Sequence, residues 1–307
     1  MSEPAVRKTL VITGVTGFLG SHVAKHQVAA GNNVIGIVRK NSDLSRLESI
    51  PSRITLVEIS SERLIRIFEA GVDAVIHTST CYGRGNESPS DLLEANIGFP
   101  LRLLEAALAS NVPAFLNTDS FFSSNDPLSS YLAEYSLSKR HFTEWARIAC
   151  IDRPICFINI RLEHLYGPGD QESKFINWLV HQCLSNVKEI NLTPGGQKRD
   201  FIYLDDAVTA FNCILDSVAT IGNGFHQVGL GTGKMQTMRS LIEEVHRISG
   251  STTTLNFGAL PYRLFEQMES VADNSYLKNH GWESKVELDN GIRNIITDIR
   301  QQHSKAT

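Results

Sequence analysis

The stretch Thr9-Leu10-Val11-Ile12-Thr13-Gly14-Val15-Thr16-Gly17-Phe18-Leu19-Gly20 constrains this chain more than any other. An apolar, β-branched run feeds three glycines spaced by threes and then an amphipathic segment with Leu19, Val23 and Ala30 on one face. That order spells strand, tight turn and helix. Gly14 permits the turn, Gly17 lets the backbone approach a pyrophosphate, and Gly20 lets the helix lie against the strand. The first helical turn, with Phe18 and Leu19, then offers its amides and the positive end of its dipole to the phosphates. A glycine triplet alone is a weak signal. A preceding strand and a following helix make it a dinucleotide loop.

The end of the next strand selects the dinucleotide. Gly31-Asn32-Asn33 is a turn, and Val34-Ile35-Gly36-Ile37-Val38 is a buried strand with Arg39-Lys40 just past it. A carboxylate at this place accepts from the 2′-hydroxyl of NAD and repels a 2′-phosphate. Arg39, helped by Lys40, instead holds a 2′-phosphate through charge-assisted hydrogen bonds, which predicts NADPH.

Strand and helix keep alternating. Ile54 to Ile59 and Ala74 to Ile76 read as strands, Asp91 to Ser110 as one long helix, Ala114 to Asn117 as a strand, Tyr131 to Cys150 as a helix and Ile155 to Ile160 as a sixth strand. The economical solution is an α/β fold, a Rossmann doubly wound parallel sheet. After Tyr166-Gly167-Pro168-Gly169-Asp170 the rhythm changes to short strands and scattered helices. Residues 1–168 are therefore expected to form the NADP-binding domain, with part of 200–230 returning to the sheet, and 169–307 mainly a smaller C-terminal substrate-binding lobe.

The bulk numbers exclude several classes. In 307 residues the formal net charge is -4, with dispersed Lys and Arg, so neither nucleic acid nor an anionic membrane is an expected partner. The five cysteines show no zinc spacing, no metal is expected, and they read as buried reduced thiols. No signal peptide or membrane-length apolar run is found, which predicts a cytoplasmic location.

Tyr135-Ser136-Leu137-Ser138-Lys139 puts a Tyr and a Lys at i and i+4, on one helix face. A phenol titrates near pH ~10, and bringing it near neutrality asks for about three units, roughly 4 kcal/mol of differential stabilisation. A neighbouring ammonium supplies the right sign. Thr118-Asp119-Ser120 falls where the fifth strand delivers residues to the cofactor cleft, and Thr118 can donate a hydrogen bond to a substrate oxygen.

With these motifs assembled, the sequence resembles the extended short-chain dehydrogenase/reductase family of the NAD-dependent epimerase/dehydratase type. The resemblance extends through Asp73-Ala74-Val75-Ile76-His77, Asn96-Ile97-Gly98, Arg161 to Gly169 and Gly196 to Asp206. It implies a Thr118, Tyr135, Lys139 catalytic trio and a C-terminal lobe that grips a nucleoside diphosphate. By position, Glu58 and Ile59 would flank the adenine, Thr78 the ribose side of the cofactor, His164 the sugar or phosphate, and Arg199 the diphosphate, with Asp119 and Ser120 beside the substrate. Nucleotide-sugar 4,6-dehydratases carry Thr-Asp-Glu where this chain has Thr118-Asp119-Ser120, and Ser120 is a poor base for removing a C5 proton. The sequence is most similar to the enzymes that reduce CDP-4-keto-3,6-dideoxyhexoses in deoxysugar and lipopolysaccharide O-antigen biosynthesis. In that picture Lys174 and Arg263 meet the diphosphate and Phe175 packs on the nucleotide. Three alternatives stay open: a nucleotide-sugar 4-epimerase with retained NAD, a reductase of non-nucleotide carbonyl compounds, and a non-catalytic NADP-sensing module. So do the base, the state of C3 and the C4 configuration. Family members pair through the helices around Asp91 to Ser110 and Tyr131 to Cys150, so the resemblance also implies a homodimer.

Overall fold

The computed structural model describes residues 7–50, 52–69, 71–124 and 132–306. Seven strands form one sheet: β1 (Thr9–Thr13), β2 (Asn33–Val38), β3 (Ile54–Glu58), β4 (Ala74–His77), β5 (Ala114–Ser120), β6 (Cys156–Leu162) and a last strand, Gly224–Leu230. Their order is Gly224–Leu230, β6, β5, β4, β1, β2, β3. β1 pairs in parallel with both β2 and β4, β2 with β3, and β4 with β5. Strands buried on both faces need continuous apolar runs, and β1 and β4 supply them in Leu10, Val11, Ile12, Val75 and Ile76. The chain winds outward from β1 in one direction and from β4 in the other. Their carboxyl ends therefore flank the topological switch point, where a sheet of this kind takes its ligand.

Helices cover the sheet: α1 (Phe18–Ala29), α2 (Ser61–Phe68), α3 (Pro89–Leu93), α4 (Phe99–Ala109) and α5 (Ala133–Ala149). Val75, Phe115 and Phe157 of the sheet meet Leu103 and Leu104 of α4 and Phe142 and Ala146 of α5 in one buried cluster. On α5 the positions 135, 139, 142 and 146 share a face, so Tyr135 and Lys139 are buried by the same stripe that packs Phe142 and Ala146.

The single long helix expected from Asp91 to Ser110 is instead three pieces. Ser88 caps α3 through a reciprocal pair of bonds with Asp91, so the helix starts at Pro89. Glu94–Gly98 then forms a π turn before α4. Pro100 has no amide for the helical ladder, and the wider turn before it swings Asn96 into the interior.

The chain divides into two compact units. The first contains the sheet and α1–α5 and includes the segments Leu132–Arg161 and Val208–Val228. The second includes Leu162–Ala207 and everything from Gly229 onward. The first unit thus gives way to the second after Arg161. In the second unit the helices Phe175–Leu184, Met238–Ser249 and Leu288–Ala306 share a core built from Ile176, Leu179, Leu241, Ile292 and Ile295. Asp200 ties its loops together. Its carboxylate accepts from the Thr232 amide at 2.9 Å and hydroxyl at 2.6 Å, the Gly233 amide at 2.9 Å and the Ala272 amide at 3.2 Å.

Cys150, Cys156 and Cys183 are buried free thiols, and burial pushes Cys150 up to about 11 and Cys156 up to about 12. Cys81 and Cys213 are likewise not in a disulfide and are only half-buried. Among the described residues no helix is long and apolar enough to cross a membrane, and no group of three or more His, Cys, Asp or Glu is placed to hold a metal ion.

Candidate active site

The glycine loop closes tightly onto the end of β4. Gly14 has φ +69°, and a Cβ there would lie 2.7 Å from the Ser79 amide nitrogen. A Cβ on Gly20 would run into the Gly14 carbonyl and come within 2.5 Å of Thr78 Oγ1. Thr78 Oγ1 donates to the Thr13 carbonyl at 2.7 Å, and the Thr78 amide donates to Thr13 Oγ1 at 3.2 Å. Thr13 Oγ1 also meets His77 Nδ1 at 2.8 Å. Burial first, and then the charge of Lys139, hold His77 well below the ordinary range of an imidazole, so it is neutral. The loop can therefore lie this close to Thr78 and Ser79 only because side chains are missing at two positions. Gly17 precedes α1 in extended conformation, and Phe18 and Leu19 open the helix.

Arg39 and Lys40 are exposed just past β2, and a turn holds Arg39, whose amide donates to Ser42 Oγ at 3.1 Å. Val38 stands opposite Glu58 in the ladder, and the Ile59 amide donates to the Val38 carbonyl at 2.9 Å, so Glu58 and Ile59 end beside Arg39. Arg46, which the sequence pattern does not single out, lies with its guanidinium over the Phe18 ring at 5.9 Å, a cation at the start of α1.

Thr118, Ser120, Tyr135 and Lys139 come together between the end of β5 and α5. Lys139 Nζ donates to the Thr118 carbonyl at 2.6 Å. Thr118 Oγ1 is buried and has no partner among the described residues, so its hydroxyl is available to an incoming oxygen. Tyr135 stacks near Tyr82 with ring centroids 5.0 Å apart and meets Phe122 edge-on at 6.5 Å. Burial, then the neighbouring Tyr82, drive its phenol well above the ordinary value; Asp119 adds to this, and hydrogen bonds with Ser120 and Thr80 act against it. Lys139 was expected to pull the phenol down. In the structure its ammonium donates to the Thr118 carbonyl and burial lowers its own pKa, while burial of the phenol itself keeps Tyr135 protonated.

Three residues of this region, Asn96, Thr80 and Tyr82, go beyond the sequence reading. Asn96 accepts from the Cys81 amide at 2.8 Å and gives its amide protons to the Cys81 carbonyl at 2.8 Å and to Ser138 Oγ at 3.0 Å. It thereby ties the loop after β4 to the turn of α5 that carries Lys139. Thr80 and Tyr82, in that loop, reach the Tyr135 ring. The Asn96-Ile97-Gly98 motif was a signal for the first; nothing in the spacing marked the loop.

In the second unit His164 and Arg199 are neighbours. Burial leads in lowering the His164 pKa, the Glu163 carboxylate at 3.6 Å opposes it, and the Arg199 charge adds to it. Arg199 Nη2 donates to Glu266 Oε1 at 2.7 Å and Nη1 to the Lys198 carbonyl at 2.9 Å. Lys174 caps the helix Phe175–Leu184, Phe175 is partly exposed with its ring 5.9 Å from that of Trp178, and the Arg263 carbonyl accepts from the Glu266 amide at 3.1 Å.

The sequence pattern of the NAD dependent epimerase/dehydratase family matches residues 10–229. The chain belongs to this family. A CDP-abequose synthase of Salmonella muenchen is 32% identical over 293 residues, spanning 95% of this chain and 98% of that protein. Among solved structures, the UDP-glucose 4-epimerase of Thermotoga maritima with UDP-glucose superposes with a TM-score of 0.83 at 20% identity, covering 96% of this chain and 99% of that one. The UDP-glucuronic acid 4-epimerase of Bacillus cereus, with UDP-glucuronic acid and NAD, superposes with a TM-score of 0.81 at 21% identity and the same coverages. This epimerase/dehydratase family member is an NAD(P)-dependent enzyme.

Proposed function

We propose that the enzyme reduces the C4 ketone of a nucleoside-diphosphate 4-keto-6-deoxyhexose, of the class that includes CDP-4-keto-3,6-dideoxyhexoses, with NADPH as reductant. The observation that carries this reading is the arrangement at the end of β5. Ser120 hydrogen-bonds the Tyr135 phenol, and the Asp119 carboxylate is taken by Ser123 and Asn159. The site thus presents a proton donor held in its protonated form, while Asp119, the carboxylate beside it, is buried and held through Oδ2 rather than exposed to strip a carbon acid. The CDP-abequose synthase relative supports the substrate class.

Gly14, Gly17, Gly20 and the first turn of α1 would hold the cofactor pyrophosphate, Arg39 and Lys40 its 2′-phosphate, and Lys139 its nicotinamide ribose. When bound, the nicotinamide supplies the hydride. Tyr135 then gives its proton to the alkoxide developing at C4, and Thr118 Oγ1 donates a hydrogen bond to the same oxygen. Incubation with NADPH and a panel of nucleoside-diphosphate 4-ketosugars should consume one NADPH per C4 alcohol formed, read by NMR of the product. Interconversion of C4 epimers with tightly retained NAD and no net consumption would assign a 4-epimerase instead, the activity named for the superposed structures.

Cofactor choice has its own test. Arg39→Asp replaces a phosphate ligand by a like charge and should move the NADPH/NADH ratio of kcat/KM toward NADH by about 100-fold, the worth of one or two charge-assisted hydrogen bonds. An unchanged ratio would reject the assignment.

The same reading places the enzyme in the cytoplasm as a homodimer. On α5, Trp145 and Ile148 are 54% and 61% exposed, and Ile151 just beyond is 63% exposed. An apolar stripe of this size on a soluble helix marks an interface. Sedimentation velocity should give a dimer that Trp145→Glu converts to monomer; a monomeric parent protein would end the proposal.

A further inference from the structure

Asp119 was expected at the substrate, yet its side chain lies in the floor beneath the Tyr135/Lys139 pair. It is 3% exposed. Its Oδ2 accepts from Ser123 Oγ at 2.7 Å and from Asn159 Nδ2 at 2.8 Å. Asn159 is fixed in turn, its Oδ1 accepting from Asn117 Nδ2 at 2.7 Å. Oδ1 of Asp119 is buried and has no partner among the described residues. Lys139 Nζ sits on the carbonyl of Thr118, the peptide that leads into Asp119.

A carboxylate and an ammonium buried this deeply are each costly alone, and each is tolerable because the other is near. Among the described residues around them, His77 on β4 is neutral, Tyr82 and Tyr135 are phenols, and the Arg140 guanidinium donates to the Ser123 carbonyl at 3.4 Å. Asp119 is the charge that favours the Lys139 ammonium against its burial, and it also disfavours ionisation of Tyr135. Its two hydrogen bonds come from neutral donors, so the full negative charge is left to act on the pair above.

We propose that Asp119 is a positioning residue of the reaction: clamped by Ser123 and Asn159, its carboxylate sets the charge balance of the Tyr135/Lys139 pair without touching the substrate. This rests on the role given to Tyr135 and Lys139 above. For a reduction both of its effects point the same way. The phenol must be protonated to give its proton, and the ammonium must be charged to hold a ribose hydroxyl.

Asp119→Asn keeps the shape and one acceptor oxygen for Ser123 and Asn159 but removes the charge. Without it the phenol ionises at lower pH and the ammonium discharges at lower pH. The alkaline limb of kcat for reduction should therefore move down by about one pH unit, the effect of one nearby charge. KM for the ketosugar should change less than about twofold, since a residue away from the substrate does not alter its uniform binding. A second readout needs no cofactor or substrate. The phenolate absorbance titration of the free protein, taken as the difference from Tyr135→Phe, should show Tyr135 ionising earlier in Asp119→Asn. Asp119→Ser, which removes the charge with a smaller polar side chain, should shift the limb in the same direction, so the test survives if Asp119→Asn does not fold. An unmoved limb and an unmoved phenolate titration in either folded variant overturn the proposal, as does a raised KM with an unmoved limb, which would return Asp119 to the substrate. A fully active Tyr135→Phe would instead remove the reading on which it rests, and the phenolate titration still reports on Asp119 alone.

Discussion

Tyr135→Phe should lower kcat by about 1,000-fold while leaving NADPH affinity within about threefold of the parent, the scale of losing a general acid whose other neighbours stay in place. The substitution removes one oxygen and keeps the ring. Phe can hold the same stacking with Tyr82 and the same edge contact with Phe122, so the packing of α5 on the sheet survives. Ser120 and Thr80 lose a partner, a local change of about 1 kcal/mol that each hydroxyl can offset by rotating. In the proposed reduction, what would disappear is the proton for the C4 oxygen, since Thr118 and Ser120 are alcohols, Lys139 donates to a carbonyl and His77 is neutral and held by Thr13. Steady-state kinetics with a fluorescence titration of NADPH separates the two effects. Near-parental turnover would take Tyr135 out of the chemistry.

The parts of this site that were legible in the sequence are those fixed by local spacing. Gly14, Gly17 and Gly20 must be glycines for reasons internal to one turn, and Tyr135 and Lys139 share a face because a helix repeats every 3.6 residues. The end of β2 was readable for the same reason, since a turn signal and an apolar run locate Arg39. What escaped depends on direction in space. Alternation along β5 does not say whether Asp119 or Ser120 faces the phenol, because both are short, polar and buried; only the partners Ser123 and Asn159 decide it. The π turn at Glu94–Gly98 inserts a residue into a pattern that otherwise reads as one helix, and periodicity averages over it. Glu266 comes from a loop 67 residues beyond Arg199, a separation at which no spacing rule operates.

Arg199 shows what that last contact changes. The diphosphate ligand expected from the sequence is already paired with Glu266, both side chains being nearly buried at 8% and 13% exposure. Removing one partner of such a pair leaves the other charge buried and alone. Arg199→Met should therefore cost about 3–5 kcal/mol of stability, seen as a lowered Tm, as well as raising KM for the nucleotide sugar by about 100-fold. These two losses must be separated, because a destabilised protein binds poorly for reasons unrelated to phosphate. Adding Glu266→Gln to Arg199→Met replaces the pair by neutral groups of similar volume, and such replacements of buried ion pairs are often neutral or stabilising. Tm should then return most of the way to that of the parent. KM should not, if the guanidinium is what meets the diphosphate; a double variant with parental Tm and parental KM would assign the pair to the fold alone. If Arg199 meets the diphosphate, Glu266 makes that binding a competition. An anion of higher charge than a carboxylate can draw the guanidinium toward itself, whereas a neutral carbonyl compound has nothing to offer in exchange. If the substrate is instead an uncharged ketone, the same double variant, with its Tm restored, should turn that ketone over as well as the parent does.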